Sequence, residues 1–125
     1  MKKGILKMKT IYKYLITKNE ETGGFFIEVP KGAEVISAIV NDNSSGYVYA
    51  IVDPGLIPSI KREVLWLGTG WPLGKEDQEK MDTYQFLGTF QDGWYVWHIW
   101  VEYEDIDLTS VFGKLFDLEP ADDFV

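Results

Sequence analysis

"YQFLGTF", residues 84–90, and "WYVWHIWVEY", residues 94–103, flank Gln91-Asp92-Gly93. Aromatic and β-branched residues fill both runs, and an Asp-Gly pair between two such runs is a strong short-range hairpin signal. Successive side chains of a strand point to opposite faces. Alternation therefore puts Trp94, Val96, His98, Trp100 and Glu102 on one face, and Tyr95, Trp97, Ile99, Val101 and Tyr103 on the other. The second face is apolar apart from two phenols and is the expected core face. The first holds the chain's one histidine between tryptophans.

The same periodicity extends outward in both directions. "KTIYKYLI" (9–16), "FFIEV" (25–29), "EVISAIV" (34–40), "YVYAIV" (47–52) and "KREVLWL" (61–67) read as strands. "TKNEETGG" (17–24), "NDNSSG" (41–46) and "DPGLIPSI" (53–60) carry turn chemistry, and Pro30 ends a strand because it cannot donate to a ladder. Residues 34–40 and 47–52 form a second hairpin. "KEDQEKMD" (75–82) is charged throughout and suits one or two exposed helical turns. Val111, Phe112, Leu115 and Phe116 share a helical face, so a short C-terminal helix is expected there. The fold class that follows is mainly β: an antiparallel sandwich or partly open barrel of about seven short strands, with a short C-terminal helix.

At 125 residues the chain fits one domain. Without cysteine it has no disulfide, thiolate nucleophile or Cys-based zinc site. No stretch approaches the about 20 apolar residues of a membrane span, and Lys7, Lys9 and Lys13 interrupt any signal-peptide core. A cytoplasmic protein with no membrane partner is expected. Net charge is −8 and unevenly placed. Residues 1–31 carry seven Lys against three Glu, while residues 92–125 carry Lys114 against nine acids. With one arginine, Arg62, and an acidic C-terminal third, direct nucleic acid binding is not expected, because that binding rests on neutralising phosphates.

Beginning at Met8, "MKTIYKY", "VPKGAEVISAIV" (29–40), "AIVDP" (50–54), "GTGWP" (68–72), "YQFLGTFQ" (84–91) and "VWHIW" (96–100) together resemble a group of small bacteriophage and prophage proteins of uncharacterised function. The resemblance covers residues 8–102, a β core, and leaves 103–125 as an acidic C-terminal extension. It implies a phage or prophage origin, in a bacterial host cell, and a compact β fold. It supplies no catalytic residues.

Candidate sites fall in three places. Trp71 beside Pro72 in "GTGWPLG" (68–74) is an exposed aromatic contact; the third glycine of this loop is one position late for a dinucleotide fingerprint, and no P-loop lysine follows. Trp71, Trp94, His98 and Trp100 are the candidate ligand-binding residues. His98 between apolar neighbours reads as a hydrogen-bonded structural residue, with no serine or cysteine nucleophile visibly paired to it. The acidic end supplies the third place: Glu102, Glu104, Asp105, Asp107, Phe112, Phe116, Asp117, Asp122 and Asp123 are the candidate partner-binding residues, carboxylates for attraction and rings for holding. No catalytic residue, metal site or cofactor is expected.

These features lead to a non-enzymatic, anti-CRISPR-like inhibitor that binds and blocks a host defence protein with a basic surface, such as a nucleic-acid enzyme. The alternatives are a small-molecule binder, for example a sponge for a nucleotide immune signal, and a virion accessory protein. Oligomeric state is left open by the sequence.

Overall fold

The computed structural model describes residues 8–41, 43 and 45–104, and two antiparallel sheets organise them. β1 (Thr10–Leu15), β5 (Gly46–Val52) and β4 (Glu34–Val40) form the smaller sheet in the order β1-β5-β4. The larger runs β2-β3-β6-β8-β7, from β2 (Thr17–Lys18), β3 (Phe25–Val29), β6 (Ile60–Gly68), β8 (Tyr95–Val101) and β7 (Gln85–Asp92). One helix, α1 (Lys75–Thr83), links β6 to β7. The fold is therefore mainly β, as the alternation requires.

The core lies between the sheets, built from alternate residues of each strand. Val48, Ala50 and Val52 of β5 face Ile27 and Val29 of β3, Val64 of β6, and Ile99 and Val101 of β8 in one buried cluster. Ile99 and Val101 lie on the face of β8 that alternation assigns to the core. The chain crosses from the small sheet to the large one through buried Ile16, whose N–H donates to the Gly46 carbonyl at 2.8 Å. On the opposite side no ladder joins β4 to β7; the Gln85 amide donates to the Val35 carbonyl at 2.9 Å across that seam. The sandwich thus stays open at one seam and is not a closed barrel.

Two local readings change. β7 and β8 pair through Asp92 and Tyr95, so the hairpin turn is Gly93-Trp94 rather than Gln91-Asp92-Gly93. Gly93 takes φ +60°, which a residue without Cβ adopts at no steric cost, and the ladder gains one more pair. Residues 17–18, read as turn, pair with Phe26 and Phe25 as β2. The charged segment 75–82 does form a helix, α1, none of whose side chains is fully buried. The helix expected around 111–116 lies outside the described residues. No helix among the described residues is long and apolar enough to cross a membrane.

β3 is shorter than β6. Its register ends at Phe25 opposite Val64, so the rest of β6, as far as Gly68, has no strand on that side among the described residues. The site described next occupies that gap.

Candidate functional site

A cleft of about 480 Å³ opens where β3 stops. Phe25 enters from β3, Trp66 from β6, Trp97 from β8 and Trp71 from the loop after β6, with Asp77 and Lys80 of α1 and Glu63 at its rim. The rings touch one another in sequence. Phe25 and Trp66 lie 5.1 Å apart, Trp66 and Trp97 5.9 Å, and Trp97 and Trp71 5.6 Å between centroids. Trp66 and Trp71 both stand nearly perpendicular to Trp97, at 77° and 80°. Such edge-to-face contacts suit the quadrupoles of the rings.

Two glycines permit this arrangement. A Cβ on Gly46 would sit 2.7 Å from the Trp66 ring, and one on Gly68 would sit 2.7 Å from the Trp71 indole. Trp71 also closes a tight turn, its N–H donating to the Gly68 carbonyl at 3.2 Å. The Trp97 indole N–H is buried with no acceptor among the described residues, a cost of about 1–3 kcal/mol for an unmet buried donor.

The rim is held by charge. Lys80 Nζ donates to Glu63 Oε2 at 2.8 Å and pairs with Glu76 at 3.3 Å, while the Tyr84 hydroxyl donates to Glu63 Oε1 at 2.5 Å. Burial alone would raise the Glu63 carboxyl, but the hydrogen bonds from Lys80 and Tyr84 outweigh it and hold the group below its ordinary value. Burial and the bond to Glu63 push the Tyr84 phenol well above its usual range. For Lys80, burial opposes the charge, but Glu63 and then Glu76 raise it overall.

The signs follow. Glu63 adds stability that is present above its unfolded pKa of about 4.3 and is lost as pH falls through the lower folded value. Lys80 and Tyr84 add stability that is present below their unfolded values of about 10 and is lost as pH rises above them. The melting temperature is therefore expected to fall on both the acid and the alkaline side, and Glu63→Gln is expected to flatten both limbs. Circular dichroism melts from pH 3 to 11 check this; a Glu63→Gln profile parallel to that of the parent chain would contradict it.

The residues singled out from sequence separate. Trp71, His98 and Trp100 line a second hollow of about 310 Å³, with Leu67, Thr69 and Met81. Trp71 thus borders both spaces. Trp94 is at the hairpin tip, 99% exposed, and lines neither. His98 is clamped from both sides: Thr69 Oγ1 lies 2.7 Å from Nε2 and Thr89 Oγ1 lies 3.0 Å from Nδ1. A neutral imidazole donates through one nitrogen and accepts through the other, and a hydroxyl can do either, so both ring nitrogens are satisfied.

Glu102 and Glu104 turn toward the chain itself. Glu102 Oε1 accepts the Glu63 N–H at 2.9 Å, and Glu104 Oε1 accepts the Gly32 N–H at 2.6 Å. Beneath them lies Arg62, only 3% exposed, whose Nε donates to the Glu102 carbonyl at 2.7 Å and whose Nη1 donates to the Ala33 carbonyl at 3.0 Å. Burial lowers the guanidinium pKa, and Glu104 and Glu102 partly restore it. Through these bonds the two carboxylates tie the segment after β8 to β6 and to the turn before β4. Asp105, Asp107, Phe112, Phe116, Asp117, Asp122 and Asp123 lie outside the described residues.

Sequence reasoning missed Phe25, Trp66 and Trp97 as site residues. Trp97 alternates onto the core face, and only the early end of β3 leaves its ring and that of Trp66 half-exposed. Among the described residues no group of three or more His, Asp or Glu is placed to hold a metal ion. No curated protein and no solved structure matches the chain. Residues 8–109 match the model of a family described as a domain of unknown function, DUF7352, and the chain belongs to that family.

Proposed function

We propose that this protein is a non-enzymatic binding protein that blocks a basic host protein, in the manner of phage-type anti-defence inhibitors. The phage setting rests on the motif resemblance. The observation that carries the binding role is the aromatic cleft beside an acidic helix: α1 bears Glu76, Asp77, Glu79 and Asp82 against Lys75 and Lys80, and buries none of them fully. Such a surface has the two parts that protein recognition uses. Carboxylates speed the encounter with a positive partner, and a ring-lined pocket gives it an anchor.

The test uses the full chain as bait in a bacterial extract, followed by binding measurements with the purified partner. A basic partner is expected, with an association rate that falls roughly tenfold or more as salt screens the attraction. Neutralising α1 (Glu76→Gln, Asp77→Asn, Glu79→Gln, Asp82→Asn) is expected to remove most of that salt dependence. A second full-length variant with Asp105, Asp107, Asp117, Asp122 and Asp123 changed to Asn measures the share of the C-terminal carboxylates. A partner bound equally at low and high salt would refute the reading.

A second reading, the small-molecule binder, draws on the cleft volume, which falls within the range of about 300–1,000 Å³ usual for ligand sites. A thermal-shift screen of nucleotides addresses it; a ligand at 100 times its Kd adds about 2.7 kcal/mol.

A further inference from the structure

The cleft is not a neutral slot. Of the charged groups that line it, Glu63 and Lys80 neutralise each other, and Lys80 is engaged a second time by Glu76. Asp77, half-buried in the wall, forms no ion pair among the described residues, so the cleft carries one uncompensated carboxylate. The ring faces add negative potential of their own, since an aromatic quadrupole attracts cations to the face. Trp71 is 51% exposed at the mouth, and Trp66 lines the same cleft, both rings standing edge-to-face with Trp97.

We propose that this cleft is an arginine-anchor site, taking the guanidinium of a basic partner's exposed side chain against the faces of Trp66 and Trp71, with Asp77 as its counter-charge. The proposal rests on the reading of the partner as a basic protein and names what that partner inserts.

Other occupants fit less well. A nucleotide would bring phosphates to a rim holding Glu63 and Asp77, where the one lining cation among the described residues, Lys80, is already engaged twice. An aliphatic side chain would fill the space but desolvate Asp77 with nothing to pair it, which is costly. Lysine offers a compact, strongly hydrated charge. Arginine is planar, weakly hydrated, stacks on indoles, and keeps edge N–H donors free for a carboxylate.

The experiment follows the five indole N–H signals of the full ¹⁵N-labelled chain while blocked Gly-X-Gly peptides are added, X being arginine, lysine, citrulline or norleucine. Citrulline has the shape of arginine without its charge. The arginine peptide is expected to shift the Trp66, Trp71 and Trp97 signals and leave Trp94 and Trp100 in place. Citrulline is expected to bind roughly 5- to 30-fold more weakly, the range that cation–π attraction and one ion pair supply. Asp77→Asn, on a helix surface, is expected to weaken arginine binding and abolish its salt dependence with the remaining spectrum unchanged. Trp71→Ala is expected to weaken it further.

Equal binding of the citrulline or norleucine peptide overturns the proposal, because the cleft would then read bulk and not charge. Shifts centred on Trp94 or Trp100, or no shift with any peptide, overturn it too. The wider reading fails separately. A basic partner that still binds with salt dependence when the cleft ignores arginine leaves that reading intact, and an arginine-binding cleft without a basic partner leaves only the cleft.

Discussion

Replacing Arg62 with methionine is expected to lower the free energy of unfolding by about 3–5 kcal/mol, the cost of leaving two carbonyls at a buried site without their charged donor. Methionine fills much of the volume but donates no hydrogen bond. The Glu102 and Ala33 carbonyls lose their donors, and the favourable field of Glu104 and Glu102 at this position no longer has a cation to act on. Each of those carboxylates also accepts a backbone N–H, from Glu63 of β6 and from Gly32 in the turn before β4. Three segments distant in sequence are thus tied through one side chain. Urea unfolding of the parent and the Arg62→Met chain measures the effect. Arg62→Lys, which keeps the charge but not the fork of donors, is expected to recover part of the loss. A loss below about 1 kcal/mol would mean that these hydrogen bonds merely offset the cost of burying the guanidinium.

Gly46→Val is expected to cost about 3 kcal/mol, the upper end of what overpacking does in a filled interior. The first atom of any side chain there meets two Trp66 ring carbons at 2.7 and 2.8 Å and Ile16 Cδ1 at 3.0 Å. Ile16 is buried where the chain passes between sheets, so Trp66, half-exposed and lining the cleft, is the side chain that must give way. The substitution should therefore narrow the cleft as well as destabilise the fold. Trp66→Leu on the same chain is expected to restore part of the stability by making room. A thermodynamic cycle of the two single variants and the double variant reads the coupling, expected at about 1 kcal/mol or more for side chains in direct contact. Additive losses would show that Trp66 is not what the new side chain strikes.

Much of this architecture is legible in the sequence because it is written in local patterns. The apolar, β-branched runs "EVISAIV" and "YVYAIV" around a turn-forming loop yield β4 and β5 in a hairpin, Pro30 follows the last residue of β3, and the charged run at 75–82 becomes α1. Where the reading slips, a longer-range effect decides. Asp92 joins the ladder because Gly93 alone can supply the positive φ of the turn, and Thr17-Lys18 pair because the Asn19–Gly24 turn folds back on itself. The cleft was illegible for a related reason. Phe25, Trp66 and Trp97 come from three strands, and their rings meet only through the register of Phe25 on Val64 and of Gly68 on Trp97. Glu102 and Glu104 show the same limit: the backbone N–H groups they accept, of Glu63 and Gly32, lie 39 and 72 residues earlier.

The short β3 has one more consequence. Beyond Val64 the flank of β6 would otherwise invite a strand from another molecule, the usual route by which β proteins aggregate. Trp71 and the carboxylates of α1 stand across that flank, bulky and repulsive to a second copy of an acidic chain. The cleft therefore doubles as a guard, and stripping its rings for a binding experiment should also make concentrated solutions of the protein turn cloudy sooner.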